Sequence, residues 1–216
     1  LLAALSLAMR GYMPLVLERG QDVSQRHKAL HQYYTQGTFD PESNLLFGIG
    51  GAGAYSDGKL YSRTHDPRNL QVLETFVQYG ADPDIASNAK PHLGSDRLPG
   101  VCKRIVDQIR EMGGEVRFGA KVQSMELGDV VGEKRALKSL TLASGEKIEA
   151  EVCMLATGHS ARDIYRMLRS AGGASPRAVT PGGRCPGRRA PPPRIRCWRP
   201  PSARACSSPG RRRAAS

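Results

Sequence analysis

The last 46 residues of this 216-residue chain have the composition of a segment that builds no core, and this bounds the rest. Residues 171–216 carry eleven Arg, no Lys and no acid, with nine of the fifteen Pro and three of the five Cys. No apolar periodicity runs through "RCPGRRAPPPRIRCWRPPSARACSSPGRRR". Its like charges repel one another, so a disordered Arg/Pro-rich tail is expected. Taking the tail's eleven arginines from the chain's net charge of +12 leaves +1 for residues 1–170. The basic character therefore belongs to the tail, and a nearly neutral body remains, long enough for a domain with a sizeable core. Most tail residues have GC-rich codons, and a frameshift in a GC-rich gene is the expected origin of the tail.

The body holds only Cys102 and Cys153. Two thiols so far apart suggest neither a disulfide framework nor a metal site, and each is expected to be a small buried hydrophobe. No run of about 18 apolar residues reads as a membrane span. The opening "LLAALSLAMRGY" lacks a basic n-region and a small-residue cleavage site, so it is not read as a signal peptide. A cytoplasmic protein is the expectation.

Periodicity divides the body into helices and strands. The first residues are apolar at helical spacing up to Gly11, and "MPLVLERG" then reads as a buried strand ending in the charged pair Glu18-Arg19. Residues 22–36 read as helical, as does "DPRNLQVLETFVQYGA". In "VCKRIVDQIREMGG", Val101, Ile105, Val106 and Ile109 share one helical face, which Gly113-Gly114 ends. From Glu115 the period becomes two. "EVRFGAKVQSMEL", "ALKSLTLASGEKIEAEV" and "CMLATG" read as strand-forming segments, the second folded into a hairpin at Ser144-Gly145. A final helix restarts in "HSARDIYRMLRSAG", with Ser160 as N-cap and Asp163 in the place of a capping-box acid. Tyr33 and Tyr34 are expected to pack on the sheet.

Four short stretches carry candidate chemistry. Glu18 ends a helix–strand sequence, where a Rossmann βαβ unit places the acid that binds ribose hydroxyls, about 20 residues beyond its glycine-rich turn. Counting back puts that turn ahead of Leu1, and a chain starting in mid-helix without Met reads as cut. In "SNLLFGIGGAGAYSDGKL", Gly48, Gly50, Gly51, Gly53 and Gly58 allow positive φ and close backbone approach to an anion or flat ring. Ala52 lies among them. Ser43, Asn44, Ser56 and Asp57 could supply hydrogen bonds, and Lys59 a positive charge. Phe47, Tyr55 and Leu60 read as anchors for an ordered loop. In "CMLATGHS", a strand stops at Ala156-Thr157-Gly158 and a helix follows, with His159 at the junction. Ligands of open α/β sheets bind outside such strand ends. Finally, His92, Asp96 and Arg97 share a polar loop that could bind an acidic substrate or a polar cofactor edge.

These stretches together resemble a family of bacterial FAD-dependent dehydrogenases within the glutathione-reductase-like two-dinucleotide-fold flavoproteins. The likeness rests, in order, on "LLAALSLAMRGYMPLVLERG", "SNLLFGIGGAGAYSDGKL", "KPHLGSDRL" and "LATGHSARD", and runs from residue 1 to about 170. It implies an incomplete Rossmann-like α/β FAD-binding fold with an inserted β-meander from about 121 to 150. By this likeness Glu18, with Arg19, holds the ADP half of FAD. Residues 48–59 and Ala156–His159 then lie near pyrophosphate and flavin. Val122, on a strand soon after a helix, matches the place where a valine backbone meets adenine. The implied activity is flavin-dependent oxidoreduction, with a small-molecule substrate or electron carrier as partner. Lys59 is the candidate for tuning flavin charge, and no side chain stands out as catalytic acid or base. Without the glycine-rich turn, this chain is expected to purify nearly colourless.

Two other classes follow from the tail. Clustered arginines neutralise phosphates, and Trp198 could stack on a base, which is the pattern of a nucleic-acid-binding segment. The absence of other tail aromatics and of an Arg-Gly repeat argues against nucleic acid as the partner. A non-functional gene fragment is the third reading. No Ser-His-Asp, HExxH or Walker A signature is present.

Overall fold

Val101, Ile105, Val106 and Ile109 are each 3% exposed or less, and they place helix α4 (Leu98–Glu111) at the centre of the core. The structure, a computed structural model, describes residues 1–60, 66–88, 90–131 and 134–171. The Arg/Pro-rich tail lies outside the described residues. Pro99 sits in the first turn of α4, where its missing N–H costs no helical hydrogen bond. Gly113, at φ +87°, lets the chain turn back, and the Gly114 N–H donates to the Ile109 carbonyl at 2.9 Å. Helix α1 (Leu2–Ala8) packs on this core through Ala4 and Leu5.

The architecture is mixed α/β. Strand β1 (Leu15–Leu17) pairs in parallel with β2 (Glu115–Arg117), with Val16 opposite Val116. Side chains alternate along a strand, and here both faces are covered. Val16 packs against the main core, while Leu15 and Leu17 meet a second cluster of Ala120, Leu142 and Ile148. Strands β3 (Val122–Val131), β4 (Lys134–Leu142) and β5 (Lys147–Glu149) form an antiparallel meander in the order β3-β4-β5. Gly145 makes its second turn at φ +89°. Helix α2 (Val23–Gln36) begins where the Asp22 carboxylate accepts the Gln25 N–H at 2.9 Å, and ends at Gly37 with φ +71°. Helix α3 (Arg68–Gln78) lays Leu73, Phe76 and Val77 on the main core. Helix α5 (Arg162–Ser170) packs Ile164 and Leu168 against Phe47 and Met125. Among the described residues no helix is long and apolar enough to cross a membrane.

The segment "EVRFGAKVQSMEL" is strand-forming as expected, divided between two sheets because Gly119 at φ +64° and Ala120 turn the chain between β2 and β3. Several sequence expectations need correction. "CMLATG" is not a strand: among the described residues no neighbour pairs with it, and Val152, Met154 and Leu155 are exposed. Cys153 is consequently exposed, whereas Cys102 is buried as expected. Ser160 does not cap α5. The helix starts one residue later, after Ala161, whose methyl accepts no hydrogen bond. Tyr33 and Tyr34 lie at the surface, stacked edge to face with each other and with Phe39 beside them, because that face of α2 meets no sheet.

Candidate functional site

A side chain from α2 organises the glycine loop. Arg26 is 0% exposed and donates all five of its guanidinium N–H groups to loop carbonyls. Nε and Nη2 reach the Asn44 carbonyl at 3.0 and 2.8 Å, and Nη2 also reaches Leu45 at 3.2 Å. Nη1 reaches Gly48 and Ile49 at 3.1 and 2.6 Å. Its guanidinium carbon lies 4.7 Å from the centre of the Tyr55 ring. Burial pulls the Arg26 pKa below its ordinary value, opposed by the fields of Tyr55, Glu18 and Cys102. An isolated buried cation would be costly, and here carbonyl dipoles replace the water.

The glycines divide by role. A Cβ on Gly48 would stand 2.5 Å from Arg26 Cδ, and one on Gly58 2.5 Å from the Leu93 carbonyl oxygen, so both are needed for close packing. Gly51 is different. Its φ of +62° with ψ −161° suits glycine alone, yet a Cβ there would meet nothing within 4 Å. Gly53 and Ala52 lie exposed in a short 3-10 turn, Ala52–Tyr55. Phe47, Tyr55 and Leu60 do anchor the loop: Phe47 beneath Arg19, Tyr55 on Arg26, and Leu60 on the main core.

The end of β1 meets this loop directly, since a Cβ on Gly20 would fall 2.4 Å from Gly48 Cα. Glu18 Oε1 accepts the Gly20 N–H at 2.9 Å, and no cation pairs with the carboxylate among the described residues. Arg19 holds Glu42 at 2.5 Å and Asp163 at 2.9 Å. Lys121 binds Glu42 at 2.6 Å and lies 3.9 Å from Asp163. Four charges thus tie the end of β1, the head of the glycine loop, the start of β3 beside Val122, and α5. For Glu42, burial raises the carboxyl pKa, but hydrogen bonds from Lys121 and Arg19 outweigh it and hold the group below its ordinary range. Asp163 behaves alike: burial raises it, and the Arg19 charge brings it below normal.

The other candidates fall as follows. Asn44 is buried with its side chain committed to the loop: Nδ2 donates to the Asp40 carbonyl at 2.9 Å, and Oδ1 accepts the Leu46 N–H at 2.9 Å. Those bonds shape the loop. Ser43 Oγ is buried without a partner among the described residues. The Ser56 hydroxyl serves its own turn, donating to the Gly53 carbonyl. Asp57 and Lys59 form an exposed 2.6 Å pair, and Lys59 bridges to His92 in an antiparallel contact. That bridge brings the polar loop alongside the glycine loop. His92, Asp96 and Arg97 are exposed there, with Asp96 and Arg97 4.0 Å apart. A cleft of about 510 Å³ separates α2 from residues 95–100 and brings Asp96 to the same wall set as His27, Lys28 and Tyr55. Val122 packs on the second apolar cluster beneath β1. Ala156, Thr157, Gly158 and His159 are all exposed, and Gly158, at φ +77°, has nothing within 4 Å of its Cβ position.

Sequence reasoning missed Arg26, Glu42 and Lys121. For Arg26 a signal existed: Val23, Arg26 and Leu30 stand at i, i+3 and i+7, so the arginine lies on the inward face of α2. Chemically, the arrangement offers a backbone cradle, a buried cation behind it and an unpaired carboxylate at its edge. Those parts suit a polyanion that also carries hydroxyl groups.

Over 166 residues, 77% of its length, the chain is 43% identical to an uncharacterized protein of Clostridium beijerinckii. The chain spans 30% of that relative's length. No protein-family model matches the chain.

Proposed function

We propose that residues 1–170 form part of the FAD-binding unit of a cytoplasmic oxidoreductase with a Rossmann-like fold and an inserted meander. The observation that carries this reading is the convergence of Glu18, the glycine loop, the start of β3 and the 156–163 segment, joined through Arg19 and Lys121. The parallel pair β1–β2, lying between helices and an antiparallel meander, agrees with such a fold.

The residues present fit the cofactor. Glu18 keeps acceptor capacity for ribose hydroxyls, and the missing side chains of Gly51 and Gly158 leave open space beside backbone. When bound, flavin supplies the electron-transfer chemistry. The chain's own part is to bind and orient: Glu18 accepts from ribose, the loop backbone lies against diphosphate, and Arg26 keeps that backbone in place. Substrate or electron carrier is assigned to the side of His92, Asp96 and Arg97. Titrating the chain with FAD and following flavin fluorescence tests the reading. Because the chain lacks the glycine-rich turn, weak but saturable quenching at one site per chain is expected, and fluorescence that never saturates would refute it.

A further inference from the structure

We infer that Arg26 is the positioning residue that makes the glycine loop selective for polyanionic ligands. The inference rests on the FAD reading for the identity of the ligand but on Arg26 itself for the mechanism. All peptide bonds described are trans. A trans peptide holds its carbonyl and the following N–H on opposite sides. The Ile49 carbonyl accepts from Arg26 Nη1 at 2.6 Å, so the next N–H, that of Gly50, points away from the guanidinium. That N–H has no partner among the described residues. Arg26 therefore draws loop carbonyls inward, where they cannot repel an anion, and presents a donor on the other side.

Its charge acts with this orientation. The guanidinium spends every donor on carbonyls, and among the described residues no carboxylate lies within ion-pair distance of it. The cation behind the loop is thus hydrogen-bonded but poorly neutralised. At an effective dielectric of about 20, a full charge within about 7 Å changes the affinity of an anion by well over tenfold. A neutral ligand gains nothing from that field. Lysine cannot copy the residue, because three donors on a point charge do not match a planar fork of five. The Gly48 position, where any Cβ would strike Arg26 Cδ, shows that loop and arginine fit as a pair.

The test uses the 216-residue chain with sodium pyrophosphate, FAD and riboflavin as probes. Arg26→Gln should weaken pyrophosphate and FAD at least about tenfold while riboflavin changes less than about twofold, and Arg26→Lys should recover part of the loss. An equal loss for FAD and riboflavin would mean that the loop merely collapsed, and would overturn the inference. Should the variants fail to fold, the wild-type chain decides by amide NMR. Pyrophosphate should shift the Gly50 amide strongly and saturably, and an unmoved Gly50 amide overturns the proposal. If Gly50 responds to pyrophosphate but FAD binds no tighter than pyrophosphate, the flavin reading fails and the role of Arg26 stands. If FAD binds and Gly50 ignores pyrophosphate, the reverse holds.

Discussion

Arg19 and Asp163 lie 144 positions apart in sequence, yet Nη1 and Oδ2 are 2.9 Å from each other. That contact ties the end of β1 to α5, beside Glu42 at the head of the glycine loop. Its partners Glu42 and Lys121 turn a single pair into a network, and Phe47 lies 4.4 Å beneath the guanidinium. Isolated surface pairs contribute about 0–1 kcal/mol. With a shared network and an aromatic face, Arg19→Ala is expected to destabilise the fold by about 1–2 kcal/mol in urea denaturation.

The same network sets an acid limit. Glu42 and Asp163 both have folded-state pKa values below their ordinary ones. Depressed carboxylates contribute stability that is present above their unfolded pKa and lost as pH falls through the folded value. Stability should therefore hold from neutrality to about pH 5 and decline below about pH 4, where unfolded Asp and Glu titrate. In Arg19→Ala the decline should be shallower. Equal slopes in both proteins would remove the network from the acid response.

Glycines in the loop and in the meander should differ in what they cost when replaced. Gly58→Ala puts a Cβ 2.5 Å from the Leu93 oxygen at φ +79°, and should cost about 2–3 kcal/mol. Gly145→Ala meets nothing within 4 Å at φ +89°, and should cost about 1 kcal/mol. Thermal denaturation of the two variants checks the order.

The two body thiols should react at different rates. Cys153 is exposed, whereas Cys102 is buried against Gly50; burial pushes both thiols up in pKa, so access is what separates them. Alkylation followed by peptide mapping should label Cys153 promptly and Cys102 only on unfolding. Prompt labelling of Cys102 would show that the loop opens over it.

Much of this fold was legible because local patterns and tertiary contacts agree. The inward face of α4 shows as Val101, Ile105, Val106 and Ile109, and the meander shows as a period of two broken at Ser144-Gly145. What escaped was set by distant partners. Apolar character alone made residues 153–158 read as a strand, but a strand needs a neighbour to pair with. The general rule that arginine seeks solvent hid Arg26, whose solvent is a ring of carbonyls 18 to 23 residues away. The links of Glu42 to Lys121 and of Arg19 to Asp163 span 79 and 144 residues, beyond any local pattern.

Glu18 should matter less than the loop. On the proposed reading its carboxylate makes one ribose contact, and a hydrogen bond to a charged group contributes about 1.5–3 kcal/mol. Glu18→Ala should therefore weaken FAD binding by about 10–150-fold in fluorescence titration, with the fold unchanged by circular dichroism.

The most direct measurement pairs two glycine variants in one FAD titration. Gly51 and Gly145 both have positive φ and open space at the Cβ position, but only Gly51 lies in the proposed cradle. Gly51→Val and Gly145→Val should lose similar stability, and only Gly51→Val should lose saturable FAD binding. Undiminished FAD affinity in folded Gly51→Val would contradict the placement of the cofactor against this loop.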